Sequence, residues 1–384
     1  MKQVYFDNAA TTQIRDEVIN RMAEVMKNNF GNPSSTHHYG RSSRALIETS
    51  RKTIASYFNV SASEIFFTSG GTEVDNLVLR SAVRDLGVTE IITSKIEHHA
   101  ILHTAEELVK EFNIEVKFVN LQPDGHIDYG HLEQLLDASK KQLVSLMYVN
   151  NEIGNKLDIK RVAELCKAHG ALFHSDTVQA IGYYKLDLQD IPVDFLAASA
   201  HKFHGPKGVG FAFIRKHSGL KPLIFGGEQE RGLRAGTESI HNIVGLEEAL
   251  KMAYDNLEKE RPHILGLKQY FIESLKTNFQ DVSFNGGCEN LEKSTYKLIN
   301  VCLPIDEEKG NLLQFQLDLK GIACSKGSAC QSGSSQGSHV LAEVQTAEEM
   351  ARPSVRFSFS KYNTKEEIDY VIEVLKEFIP VKTF

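Results

Sequence analysis

Residues 194–214 read DFLAASAHKFHGPKGVGFAFI, two nearly continuous apolar runs around a turn of His, Lys, Gly and Pro. Short unbroken apolar runs bounded by such turns are the pattern of strands buried on both faces. Outward from this stretch, residues 64–69, 90–94, 116–119, 143–149 and 171–176 carry the same signature. Between them lie helical patterns, as at Ile159, Val162, Ala163 and Cys166, spaced i, i+3, i+4, i+7. From Ile14 to about Tyr254 this alternation predicts an α/β fold with a mainly parallel sheet covered by helices. After a long helical stretch beginning near Ile240 the order changes. A strand over 296–303, a helix over 307–319, a strand over 355–359 and a helix over 364–378 predict a smaller α+β domain.

The 384 residues suit two domains better than one core. A formal net charge of −7 argues against a nucleic-acid footprint or attraction to an anionic membrane surface. No apolar run reaches the length of a membrane span, and MKQVYFDNAATT lacks the features of a secretory signal, so the cytosol is expected. Five cysteines with no CxxC pair make neither a disulfide framework nor a common zinc pattern, and no resident metal is expected.

Several segments carry residues with chemistry. Ser69–Gly70–Gly71–Thr72–Glu73 stands between a strand and a helix, where free N–H groups and the helix dipole converge on an anion. The same pattern also serves as a plain connection. Lys202, between Ser199 and His201 at a strand end, reads as an amine able to lose its charge and bind a carbonyl, or as a solvated loop lysine. Asp176, with Gln179 just after it, sits where parallel sheets place ligands; it suits a pyridinium partner or a helix cap. Asn151 in VNNEIGN suits a ligand hydrogen bond or a turn, and His98 a stacking acid/base or a surface pair with His99.

Residues 325–338, SKGSACQSGSSQGS, are dominated by Ser and Gly, a composition that favours mobility, yet they hold Cys330. Lys326 and His339 are placed to lower its pKa if they approach. Among the other cysteines, Cys166 and Cys302 read as core, Cys324 as packed beside the loop, and Cys288 in the NGGCEN turn as exposed.

Taken together, YFDNAATT at Tyr5, GNPSSTHHYGR, SGGTE, NNEIG, HKFHGPKG, ERGLRAGT, GSAC and VRFSF at Val355 resemble the cysteine desulfurases of the NifS/IscS type, group I, within the class V aminotransferase-like enzymes. The resemblance covers nearly the whole chain. It implies the pyridoxal 5'-phosphate (PLP) transferase-like fold of type I. The large PLP-binding domain then spans 15–256, and residues 1–14 and 257–384 form the small domain with the catalytic-cysteine loop at about 325–338. By resemblance, Lys202 holds the cofactor, His98 stacks on its ring and moves protons, Asp176 pairs with the ring nitrogen and Gln179 with the phenolic oxygen. Gly71, Thr72, Ser199 and His201 match the phosphate set, and Thr237 reaches the phosphate of a partner subunit, implying a homodimer with shared sites. Asn151 touches cofactor and substrate, and Arg356 grips the substrate carboxylate, which suits the bidentate fork of a guanidinium. Cys330 receives sulfur from L-cysteine as a persulfide, leaving L-alanine, for delivery to an acceptor such as an iron–sulfur scaffold, with which it shares a cluster at most transiently, or to tRNA thiolation.

Two departures stand out. The family often reads Leu-Glu-Pro-Ser after the loop, whereas this chain has Ser335–Gln336–Gly337–Ser338, and Cys324 occupies a position that is commonly small. Both bear on the loop and on partner docking. An aminotransferase or a selenocysteine lyase on the same fold, or a non-catalytic sulfur carrier, are the competing readings. The first needs no loop cysteine, the second differs only in chalcogen preference, and the third binds no cofactor.

Overall fold

The computed structural model describes residues 2–326 and 337–380. It opens with β1 (Val4–Tyr5), α1 (Asp16–Asn28) and α2 (His38–Tyr57). Next come β2 (Ile65–Thr68), α3 (Gly71–Leu86), β3 (Glu90–Thr93), α4 (His99–Phe112), β4 (Glu115–Phe118) and α5 (Tyr129–Leu135). They are followed by β5 (Gln142–Ser145), α6 (Ile159–His169), β6 (Leu172–Asp176), β7 (Phe195–Ser199) and β8 (Gly210–Ile214). Strands β2 to β8 make one seven-stranded sheet in the order β2-β8-β7-β6-β5-β3-β4. Strands β3 to β7 run parallel, and β8 is antiparallel to both neighbours. The mainly parallel sheet expected from the sequence is therefore present.

Burial explains the apolar runs. Every residue of β3, β5, β7 and β8 is buried, whereas β4, at the sheet edge, is partly exposed. The run expected over 143–149 stops as a strand at Ser145. Even so, Leu146 N and Tyr148 N still donate to His174 O and Asp176 O, at 3.2 and 2.9 Å, so the chain stays beside β6 as it leaves the sheet. Helix α3 stops at Gly87, whose φ of +73° closes the last turn without a Cβ penalty.

Beyond the sheet come α7 (Ile240–Asp255), α8 (Leu257–Asn278), β9 (Ser283–Phe284), β10 (Leu298–Cys302), α9 (Glu307–Leu319) and β11 (Ile322–Ala323). The chain then forms α10 (His339–Val344), α11 (Ala347–Met350), β12 (Ser354–Ser358) and α12 (Lys365–Leu375). Strands β9, β10 and β12 form an antiparallel sheet, and β1 pairs in parallel with β11. Phe6, just after β1, packs with Phe271, Phe357 and Phe359 at ring-centroid distances of 5.2 to 6.4 Å. Asn8 Nδ2 also donates to Ser358 O at 2.9 Å. The N-terminal segment is thus stapled to the C-terminal sheet by aromatic burial and a buried amide bond.

Cys288 corrects one expectation: it is fully buried, with Sγ 3.8 Å from Asn300 O. The preceding glycines allow this. A Cβ on Gly286 would lie 2.8 Å from Ile153, and one on Gly287 2.4 Å from the His126 ring, so the turn folds inward where a side chain would hold it out. Cys166, Cys302 and Cys324 are buried as expected.

A second internal anchor carries strain. Glu230 and Arg231 both lie at positive φ, 45° and 56°. Glu230 is held by Arg51 through two bonds of 2.6 and 2.8 Å and accepts Phe67 N at 2.8 Å. Both charged side chains are almost fully buried. Removing one partner strands the other charge, so Glu230→Ala is expected to cost about 3–5 kcal/mol of stability in denaturant unfolding. A loss below about 1 kcal/mol, the range of surface pairs, would mean that the pair contributes nothing to holding the turn.

Candidate active site

Parallel sheets present ligands at the carboxyl ends of their strands. Here Asp176 ends β6, Ser199 ends β7, Gly71 follows β2, His98 follows β3 and Asn151 follows β5. A cavity of about 240 Å3 collects them, with Thr72, Asp75, Gln179, His201, Lys202 and Arg356 also on its walls. A larger cleft, of about 1150 Å3, contains none of these side chains.

One wall is built for an anion. Gly70, at φ +154°, offers α3 no side-chain cap, so the first-turn amides beyond Gly71 are left for another acceptor. A Cβ on Gly71 would fall 2.4 Å from Val178 Cγ2, so only glycine lets the helix come this close. Gly71 N donates to Ser199 Oγ at 2.8 Å. His201 Nδ1 lies 3.2 Å from Thr11 Oγ1, and burial together with the Lys202 charge pushes its imidazole down to about 4. It therefore meets a ligand as a neutral ring at neutral pH.

The floor carries Asp176. Val178 N donates to its Oδ1 at 2.8 Å. Burial raises its carboxyl pKa, while the charges of His98 and Lys202 pull it back. Such a carboxylate gains most from a cation in the cavity. Above it, His98 caps α4 by accepting Ala100 N on Nδ1 at 3.1 Å, which assigns its ring proton to Nε2. Burial lowers the pKa of this imidazole, with Asp176 opposing. Gln179 Nε2 donates to Ala9 O at 2.8 Å, and its buried Oε1 has no partner. Its amide keeps a second N–H for a ligand oxygen.

Lys202 Nζ donates to Ala9 O and Ala10 O, both at 2.7 Å. These carbonyls hold the amine at the cavity wall. Arg356, almost fully buried, donates from Nη1 to Asn151 O at 2.7 Å and from Nη2 to Asp7 Oδ1 at 2.9 Å. Its buried Nε has no partner. An orphaned guanidinium N–H beside an amine is a ready carboxylate receiver. Ser325 Oγ donates to the same Asp7 oxygen at 2.7 Å, and Ser338 Oγ donates to Glu152 Oε2 at 2.5 Å, one residue from Asn151.

Most of the expected residues meet in one place. Thr237 does not line the cavity and is exposed ahead of α7. Cys330 lies outside the described residues. Sequence reasoning passed over Asp7, Ala9 and Ala10, although FDNAATT was singled out; nothing in that string told which wall it would form. It also passed over Asp75. Its signal was available: a carboxylate among buried positions of α3, next to Val74 and one turn beyond Gly71.

The arrangement fits a flat, anionic cofactor bearing a ring nitrogen and a carbonyl. Uncapped amides and Ser199 suit the anion, Asp176 the ring nitrogen, Gln179 a ring oxygen and Lys202 the carbonyl. Comparison with known proteins agrees. Residues 4–371 match the family model for aminotransferase class-V. A "Cysteine desulfurase IscS" from Dictyoglomus turgidum is 38% identical over 380 residues, covering 98% of this chain and 95% of that protein. A solved "NifS-like protein" aligns with a TM-score of 0.89 at 36% identity, covering 98% of this chain and 99% of that one. The structure described as "SspA in complex with cysteine" aligns at 0.79 with 29% identity, over 94% of this chain and all of that one.

Proposed function

The chain belongs to the aminotransferase class-V family, and from that premise we propose how its residues carry out the work of a PLP-dependent cysteine desulfurase. Gly71, Thr72, Ser199 and His201 would hold the cofactor phosphate, Asp176 and Gln179 its ring, His98 its face, and Lys202 its carbonyl carbon. The bound cofactor supplies an electron sink for the charge left on the substrate Cα.

Arg356 fixes the carboxylate of L-cysteine through its free Nε, with Asn151 beside it. Lys202 Nζ would take the Cα proton of the substrate and later return one to the product. His98, neutral and held by Ala100 N, is the second group placed to move protons. The Cys330 thiolate attacks the substrate sulfur; its S–S bond forms as the substrate C–S bond breaks. The electron pair of the C–S bond stays with the carbon skeleton, which is protonated and leaves as L-alanine, while Cys330 keeps the sulfur as a persulfide. One observation carries this reading: a single cavity holds an amine, a buried carboxylate, an uncapped helix end and an arginine with a donor to spare.

The partition into a large domain, 15–256, and a small one, 1–14 with 257–384, belongs to the same reading. So does a homodimer in which Thr237 completes the partner's phosphate site, supported by exposed Phe30 and Tyr39, whose rings stack 5.1 Å apart. Delivery of the sulfur to an acceptor such as an iron–sulfur scaffold, and a place in the cytosol, complete it. No helix among the described residues is long and apolar enough to cross a membrane.

The test is direct. Purified chain loaded with PLP and given L-cysteine is expected to release alanine, and mass spectrometry is expected to find one added sulfur on the peptide bearing Cys330. A preparation that stays colourless with the cofactor, or sulfur found only on another cysteine, would overturn it.

A further inference from the structure

Asp75 stands on α3, one turn beyond Gly71, and lines the same cavity as Asp176. It is only 1% exposed. Its Oδ1 lacks a hydrogen bond and lies 3.5 Å from His174 Nε2, which lacks one too. His174, on β6 two residues before Asp176, is completely buried, and its Nδ1 lies 2.9 Å from Ser145 Oγ on β5. Three elements thus bring a carboxyl, an imidazole and a hydroxyl into one row beneath the cavity.

That row has two proton arrangements. In one, Asp75 is an acid donating Oδ1–H to Nε2, and Nδ1–H donates to Ser145; the row is neutral. In the other, His174 donates Nε2–H to a carboxylate, and the row carries a negative charge. The groups facing Asp75 decide between them. Asp176 on β6 and Glu97 ahead of α4 add negative potential, and His174 is the only ion-pair partner Asp75 has among the described residues. Burial pushes the Asp75 carboxyl well above the usual range and the His174 imidazole down to about 3. Burial likewise lifts Glu97 to about 8, whereas His98 and Lys202 favour the charge of Asp176 alone. With three acids crowded together, their environments separate them: Asp75 and Glu97 are favoured as proton holders, and Asp176, facing the two cations, as the anion.

We propose that Asp75 is a positioning residue for Asp176: it stays a neutral acid bonded to His174, leaving Asp176 as the one carboxylate presented to the cofactor's ring nitrogen. This rests on the PLP reading of the cavity. A second ionised carboxyl there would compete for the ring proton and pull Lys202 and His98 away from Asp176.

The sign of the linkage gives a test without the cofactor. An acid whose folded pKa is raised loses stability for the fold as pH climbs from its unfolded value, about 3.9, toward the folded one. Asp75→Asn is permanently neutral and keeps a donor for Nε2. Its apo form is expected to unfold at a higher denaturant concentration than wild type, by a margin that widens from pH 5 to pH 8. In the PLP-loaded chain, the visible absorbance of Asp75→Asn is expected to titrate with the wild-type midpoint. Asp75→Leu, which leaves Nε2 unpaired, is expected to move that midpoint by about one pH unit. An apo Asp75→Asn that is less stable, a margin that ignores pH, or an Asn variant shifted as far as Leu would each overturn the proposal. A wild-type chain that takes up no cofactor would sink the PLP reading, while the apo series still reports the proton on Asp75.

Discussion

Lys202→Ala is expected to lower alanine formation from L-cysteine by about four orders of magnitude, or about 5.4 kcal/mol of barrier. The size follows from two roles on one atom. On the proposed reading the amine, held by Ala9 O and Ala10 O at 2.7 Å, is both the wall group that would bond to the cofactor carbonyl and the base that would take the Cα proton. Lys202→Arg separates charge from chemistry. It keeps the cation beside Asp176, but a guanidinium neither adds readily to a carbonyl nor gives up its proton. Both variants are therefore expected to be inactive, with the arginine chain binding PLP at least as well as the alanine one. Initial rates and retention of the visible chromophore on gel filtration check this. A Lys202→Arg enzyme within tenfold of wild type would mean that charge alone suffices, and the assignment would fail.

The sequence makes the sheet legible because its strands are buried on both faces and so leave unbroken apolar runs. The apolar runs at 194–200 and 208–214 enclose β7 and β8, and no boundary moves by more than two residues. Short pairings left no such trace. Strands β1 and β11, two residues each, pair only with one another, across more than three hundred residues of chain. Their partnership is set by the Phe6 aromatic cluster, a tertiary event that no local window contains. The site divides in the same way. Lys202, Asp176 and His98 sit on the strand-end turns that the pattern locates. Asp7 and Asp75 act through contacts with Arg356 and His174, residues distant in sequence. Cys288 was misread for a related reason: a polar Gly-rich turn usually faces solvent, but here Asn155 Oδ1 accepts Gly287 N at 2.7 Å and draws the turn inward.

Cys330→Ala is expected to cut cysteine-to-alanine turnover by on the order of 10^3-fold, about 4 kcal/mol, while the chain stays yellow with bound PLP. The other thiols are poorly suited to supply the nucleophile. Cys166, Cys288, Cys302 and Cys324 are all buried and free. Burial raises the pKa of each, that of Cys324 to about 12. A thiol so disfavoured as thiolate is a poor nucleophile toward sulfur at neutral pH. Cys324 is the sharpest control. It lies next to Ser325, whose hydroxyl bonds Asp7 beside Arg356, and its carbonyl accepts Gln314 Nε2 at 3.2 Å. It therefore lies next to a residue bonded to the proposed substrate-carboxylate site, yet is chemically quiet. Cys324→Ala is expected to stay within about threefold of wild type, a change below 1 kcal/mol. An aminotransferase working through Lys202 and Asp176 would be indifferent to both substitutions. Loss of turnover in Cys324→Ala with retention in Cys330→Ala would move the sulfur to the buried thiol and require it to ionise against its surroundings.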